Sequence, residues 1–166
     1  MIKFMRHALA IAILPFTVTI LIPFWIAQRY DITLTLGLTP AAILLQAVAV
    51  LLLISGLALF IASLRRFATE GKGTLAPWDP PRQFVVHGPY RFVRNPMISG
   101  VILILFGEAC ALLSRPHAIW ATFALILNLI YIPAVEERQL VRRFGEPYLE
   151  YCRNVPRFVP RLTPWR

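Results

Sequence analysis

Charge is scarce in this 166-residue chain: Asp, Glu, Lys and Arg make up 15% of it, against 58% hydrophobic residues and a mean hydropathy of +0.66. One soluble core of this size cannot absorb that much apolar surface, which excludes a water-soluble globular domain. Cysteine is limited to Cys110 and Cys152, too few for a disulfide framework. His7, His87 and His117 are scattered without metal-ligand spacing, so no metal site is expected. No G-x-G-x-x-G follows a strand pattern, and Gly71-Lys72-Gly73 lacks both the upstream glycine and the following Ser or Thr of a P-loop. A soluble nucleotide-binding fold is therefore excluded, and no Ser-His-Asp arrangement points to hydrolysis. Acids are also few, eight against seventeen Lys and Arg, giving a formal charge of +9. Such a balance implies a nucleic acid, a membrane surface or an anionic ligand. The apolar runs decide for the membrane, and no nucleic-acid partner is expected.

A spanning helix needs about 20 mostly apolar residues. Residues 8–27 supply an uncharged run interrupted by Pro15 and Pro23. It follows Lys3 and Arg6 as a signal peptide would, but it is long and no small-x-small pattern precedes Gln28, so it reads as an anchor. Residues 32–64 carry no charge, and Leu38-Thr39-Pro40 is a turn signal, so a second span is expected over 40–64, stopped by Arg65 and Arg66. A third span is expected over 97–114 with one acid, Glu108. Arg115-Pro116 then reads as a tight turn into a fourth span over 117–135. The expected fold is an all-α polytopic membrane bundle of four transmembrane helices.

Lys and Arg are retained on the cytoplasmic side. With both termini inside, residues 1–7, 65–96 and 136–166 hold fifteen of the seventeen basic residues, and the outer loops hold only Arg29 and Arg115. Every long polar segment then lies on the cytoplasmic face. Within 65–96, Ala76-Pro77-Trp78-Asp79-Pro80-Pro81 resists regular structure, with Trp78 expected at the interface. Asn95, Asn128 and Asn154 lack the Ser or Thr of a glycosylation sequon, which with the compact length points to a bacterial inner membrane.

Two clusters could carry chemistry. In His87-Gly88-Pro89-Tyr90-Arg91-Phe92-Val93-Arg94-Asn95-Pro96, Gly88-Pro89 is a turn, Asn95 an expected N-cap and Pro96 the first helical residue. A helix amino terminus behind Arg91 and Arg94 also attracts an anionic group, though juxtamembrane arginines more often contact lipid headgroups. The second cluster is Glu136-Glu137, at the end of the fourth span and the start of an amphipathic helix that Gly145 and Pro147 terminate. Neither acid has a cation three or four residues ahead, so a counter-charge must come from loop arginines or a bound cation, unless the pair is a solvated face answering Arg138, Arg142 and Arg143. Glu108 reads as a structural group hydrogen-bonded to a neighbour such as Thr122. Gly100, Gly107 and Ala111 would admit a closely packed helix.

Taken in order, the 87–96 cluster, Glu136-Glu137, Phe144-Gly145-Glu146-Pro147-Tyr148 and Val155-Pro156-Arg157-Phe158-Val159-Pro160 resemble the isoprenylcysteine carboxyl methyltransferase family over residues 74–160. The resemblance implies an S-adenosylmethionine-dependent methyltransferase of membranes with a cytoplasmic cofactor pocket, related to the phospholipid methyltransferases. It implies that Phe84, Val85 and Tyr90 line the cofactor, that Asn95, Pro96 and Ile98 approach it from the third span, and that Glu136 takes its ammonium group. Arg91, Arg94 and Glu137 would serve the substrate or a secondary role. Two departures concern the substrate: Arg-His-Pro followed two residues on by Tyr is here Arg94-Asn95-Pro96 with Ile98, and an arginine four residues before the first glutamate is here Ile132.

The expected acceptor is lipidated or membrane-dissolved, first a prenylcysteine-like carboxyl group. Such a carboxylate is already ionised at neutral pH, so in-line placement matters more than acid-base help. The rivals are a phospholipid amine acceptor, a non-enzymatic membrane scaffold or transporter subunit, and a reductase related to the sterol reductases.

Overall fold

The computed structural model describes residues 12–71 and 84–165, with side chains from residue 15 onward at the amino-terminal end. The beginning of the first apolar run with Lys3, Arg6 and His7, the Lys72-Gly73 pair and the proline-rich stretch around Trp78 lie outside the described residues. Among the described residues every regular element is helical. A π-helical stretch, Ala12–Leu21, runs into α1, Ile22–Arg29. α2 covers Pro40–Glu70, α3 Pro96–Ala111 and α4 Arg115–Tyr131. A second π-helical stretch, Ile132–Glu136, leads into α5, Glu137–Phe144, and α6 covers Glu146–Asn154.

The boundaries follow local chemistry, with four corrections to the sequence reading. Thr39 caps α2 as its position implies, accepting from the Ala42 amide at 3.2 Å, with Pro40 opening the helix. Arg65 and Arg66 do not end α2; it runs to Glu70, where an Arg66–Glu70 pair at 3.1 Å spans one turn. Arginine halts an apolar run without breaking a helix. The turn after α3 is Leu112–Ser114, with Leu113 left-handed at φ 49°, and Ser114 caps α4 by accepting from the His117 amide at 3.3 Å. Arg115 and Pro116 thus begin the helix rather than form its turn. Asn95 holds the N-cap position of α3 without a side-chain cap; its Nδ2 donates instead to the Arg157 carbonyl at 3.4 Å. Thr122 donates to its own helix, to the Ala118 carbonyl at 2.8 Å, rather than to Glu108. Glu108 lies one turn from the end of α3, and its buried Oε2 has no hydrogen-bond partner among the described residues.

α2 and α3 form the most extensive helix contact, and the small residues explain it. A Cβ on Gly56 would meet the Gly100 carbonyl at 2.8 Å, and one on Gly100 would meet the Gly56 carbonyl at 2.8 Å. The two backbones touch where both side chains are absent. Gly107 repeats the fit against Leu53, at 2.8 Å. Gln46 closes the far end, donating to the carbonyls of Thr35 at 2.7 Å and Ala111 at 3.1 Å. α4 packs on α3 through Val101, Leu105, Ala121 and Ala124, and Trp120 donates to the Val18 carbonyl at 3.1 Å.

Among the described residues two helices are long and apolar enough to cross a membrane: Pro40–Glu70, of 31 residues, and the continuous Arg115–Phe144, of 30 residues. Only 17% of the apolar window of each is buried, so these are not the core helices of a soluble protein. Leu44, Leu51, Ile54, Ile119 and Ile130 present bare apolar surface of the kind that lipid covers. α3 is apolar but, at 16 residues, shorter than a full span.

Candidate functional site

At one end of the bundle the chain before α3, the π-helical junction of α4 with α5, and the carboxy-terminal segment meet. Gly88 provides a left-handed corner at φ 61°, and residues Gly88–Arg91 form a single 3-10 turn. The carboxy-terminal segment is laid against this turn through backbone bonds. The Arg94 amide donates to the Pro156 carbonyl at 3.0 Å, the Arg161 amide to Phe92 at 2.9 Å, and the Trp165 amide to Arg91 at 3.0 Å. The Tyr151 hydroxyl donates to the Tyr90 carbonyl at 2.6 Å. Tyr90 is thereby held at its own carbonyl and by the main-chain bonds of Arg91, Phe92 and Arg94 that follow it.

Gly145 makes the second arm possible. Its φ of 62° and ψ of −138° suit glycine alone; it ends α5 and lets α6 fold back, with Pro147 in the first turn of the new helix. Tyr148 and Tyr151 then share one buried face. Phe84 packs on Tyr151 at 4.8 Å between centroids, on Tyr148 at 5.3 Å and on Phe144 at 5.7 Å. Val85 beside it is buried, as are Val93 and Pro96, whereas Ile98 and Asn95 are half-buried. Burial pushes the Tyr148 and Tyr151 phenols well above the ordinary tyrosine range. The Tyr90 phenol is raised too, first by burial and then by the negative charge of Glu136 nearby.

The two adjacent glutamates have different surroundings. Glu137, 8% exposed, is held by two arginines distant in sequence. Arg157 grips it through Nε at 2.9 Å and Nη2 at 2.7 Å, one nitrogen on each carboxylate oxygen, and Arg94 Nη1 adds a third contact at 3.0 Å. The carboxylate in turn raises the Arg157 guanidinium above its ordinary value, first through the hydrogen bond. Glu136, half-buried at the end of the π-helical stretch, makes no hydrogen bond or ion pair among the described residues. Its negative charge bears on Tyr90, and the charge of Glu137 bears on Glu136 in turn.

The structure therefore brings Tyr90, Glu136, Glu137 and Arg94 together, and attaches Phe84 to the aromatic cluster behind Tyr90. Arg94 also donates to Cys152 Sγ at 2.8 Å, while its buried Nε has no partner among the described residues. Arg91 spends its Nε on the Trp165 carbonyl. Both arginines are thus engaged within the chain. A separate cleft of about 570 Å³ is lined by Arg66, Thr69, Glu70, Phe84 and His87, so it meets the expected residues only at Phe84.

Sequence reasoning did not identify Arg157, Tyr148, Tyr151, Cys152 or Trp165 as parts of this arrangement. The aromatic pair had a readable signal, two tyrosines three apart after a Gly-x-Pro corner. Arg157 had none, because its partner lies twenty residues away through a turn that only the folded chain defines.

Residues 41–147 match the family model for phospholipid methyltransferases. Among curated proteins, methanethiol S-methyltransferase 2 of Bradyrhizobium diazoefficiens is 36% identical over 76 residues, covering 44% of this chain and 27% of that protein. Methanethiol S-methyltransferase 1 of the same organism is 34% identical over 87 residues, 52% of this chain and 28% of that protein. The cobalt-zinc-cadmium resistance protein CzcN of Cupriavidus metallidurans is 36% identical over 85 residues, 49% of this chain and 38% of that protein. The chain thus spans well under half the length of these relatives, and no solved structure matches it. The family match covers most of the chain, from α2 through α5 into the first turn of α6. With its exposed apolar helices, this chain belongs to the phospholipid methyltransferase family of membrane proteins, methyltransferases of the isoprenylcysteine carboxyl methyltransferase type.

Proposed function

We propose that this chain transfers a methyl group from S-adenosylmethionine, at the cytoplasmic membrane face, to a lipidated or membrane-dissolved acceptor. The observation that carries the reading is the asymmetry of the glutamate pair: Glu137 is neutralised by two arginines, whereas the half-buried Glu136 has no ion pair among the described residues. A carboxylate so placed, beside Tyr90, calls for a cation, and the cofactor's ammonium group meets that need. Glu136 would hold the ammonium, Tyr90, Phe84 and Val85 would bound the cofactor on one side, and Asn95, Pro96 and Ile98 would face it from the start of α3. When bound, the cofactor supplies an electrophilic methyl group on a sulfonium. The protein's part is to orient donor and acceptor in line and to exclude water.

In this proposal all four apolar segments cross a bacterial inner membrane and both termini face the cytoplasm, in keeping with the placement of basic residues. The polar cofactor arrives from the cytoplasm and the acceptor from the bilayer. The first reading of the acceptor is a prenylcysteine-like carboxylate, which needs no base at neutral pH. A second reading is a thiol, favoured by the activity for which the two Bradyrhizobium relatives are named. A phospholipid amine is the third.

Transfer of label from methyl-labelled S-adenosylmethionine into lipid extracts and thiol acceptors, by the protein in lipid nanodiscs, tests the proposal. Base-labile label identifies an ester, volatile label a small thioether, and stable lipid-bound label an N-methyl product. Absence of transfer to all three, with no cofactor binding by calorimetry, would remove the enzymatic reading in favour of a scaffold.

A further inference from the structure

The carboxy-terminal segment reaches the site from beyond the residues that match the family model, which ends at 147. Its anchor is Arg157, the only side chain among the described residues that engages both oxygens of Glu137. We infer that Arg157 is a positioning residue for the cofactor site: by holding Glu137 against Arg94, it keeps the 90–96 stretch in place and leaves Glu136 free for a ligand. The inference rests on the proposed function above.

Three features support it. First, Arg94 lies in the stretch that carries Tyr90, Asn95 and Pro96, so the Arg94–Glu137–Arg157 cluster joins that stretch, α5 and the carboxy-terminal segment at one point. Second, the join is duplicated in the backbone on either side, by Arg94 to Pro156 and Arg161 to Phe92. The 155–161 segment is thus the outer wall of the Tyr90 turn. Third, the chemistry of two adjacent carboxylates requires a division of roles. Left without cations, both acids would repel each other, and one would take up a proton. With Arg94 and Arg157 on Glu137, its charge is balanced, and Glu136 remains ionisable toward a bound ammonium. A lysine at position 157 could not do the same, because an ammonium is a point charge and cannot bridge both oxygens in the plane of the carboxylate.

The test compares wild type, Arg157→Gln, Arg157→Lys and Glu136→Gln in nanodiscs, reading S-adenosylhomocysteine affinity by calorimetry at a temperature where each is folded. It also follows the pH dependence of that affinity and the thermal midpoint. Arg157→Gln is expected to weaken binding about tenfold and to move the acid limb of the binding profile upward, since without the guanidinium the negative charge of Glu137 holds a proton on the pair more tightly. Arg157→Lys is expected to fall between Gln and wild type, and it serves as the deciding variant where Gln does not fold. A lowered thermal midpoint with unchanged affinity and unchanged pH profile in the folded variants assigns Arg157 to stability alone and overturns the inference. Wild type that binds no S-adenosylhomocysteine overturns the proposed function itself, whereas a wild type that binds beside an equally competent Arg157→Gln overturns only the role of Arg157.

Discussion

Removing each glutamate in turn should produce opposite signatures, one in stability and the other in binding. Glu137→Ala takes away the partner of two guanidinium groups. Arg94, whose side chain is 11% exposed, is left in an apolar surrounding with its charge unbalanced, while Arg157, at 36%, can still turn to water. Breaking a buried pair typically costs 3–5 kcal/mol, and the solvation of Arg157 moves the expectation to about 3 kcal/mol, the lower end. Glu136→Ala removes no hydrogen bond or ion pair among the described residues, so its stability should stay within about 0.5 kcal/mol of wild type. The binding effects invert. A charge-assisted contact contributes about 1.5–3 kcal/mol, so Glu136→Ala should weaken S-adenosylmethionine binding by roughly 10- to 100-fold. Glu137→Ala, compared where both variants are folded, should weaken it much less. Calorimetry and thermal unfolding in nanodiscs give both numbers on the same samples. Equal losses of affinity, or a large loss of stability in Glu136→Ala, would refute the division of roles.

Other expectations follow from single contacts. Gly56→Val inserts a side chain where the Gly100 carbonyl would lie at 2.8 Å, so it should cost about 1–3 kcal/mol and separate α2 from α3, read as lost thermal stability and new cysteine accessibility along the seam. Tyr151→Phe removes the 2.6 Å bond to the Tyr90 carbonyl, about 1 kcal/mol, and should raise the Michaelis constant for the cofactor more than it lowers turnover. Glu108→Gln, far along α3 from Pro96, should change thermal stability and leave cofactor affinity unaltered. The phenols of Tyr90, Tyr148 and Tyr151 are all raised in the folded chain, so an unfolded chain ionises first. Their contribution is complete below the ordinary tyrosine value of about 10 and declines above it. With the exposed Tyr30 and Tyr131 replaced by phenylalanine, tyrosinate absorbance should accordingly appear together with alkaline unfolding; early ionisation without unfolding would contradict the burial.

Features set by neighbours in sequence were readable. Thr39-Pro40 announced the start of α2, Gly145 the end of α5, and Gly100 and Gly107 a close helix approach, because capping, left-handed backbone and missing side chains act locally. What lay opposite those glycines was not readable: spacing shows that a partner can come near, not that Gly56 is the one. The same limit hid the cations on Glu137. Its lack of a forward partner within its own helix was visible, but Arg94 and Arg157 arrive from 43 residues before and 20 after it through turns at Leu113 and Gly145. Arg65-Arg66 misled for a different reason. Two charges mark where apolar character stops, and α2 continues past them because arginine has good helix propensity. Pro147 was read as an end and is a beginning, since proline fits the first turn of α6 as well as it terminates α5. Asn95 has the residue type of a cap, but its side chain is drawn to the Arg157 carbonyl.

The most direct measurement is native mass spectrometry of the protein released from membranes, wild type beside Glu136→Gln. Wild type is expected to carry S-adenosylmethionine or S-adenosylhomocysteine through purification, and Glu136→Gln to lose it while keeping its fold. A bare wild type that also fails to take up added cofactor, or equal occupancy in both, would contradict the assignment of Glu136.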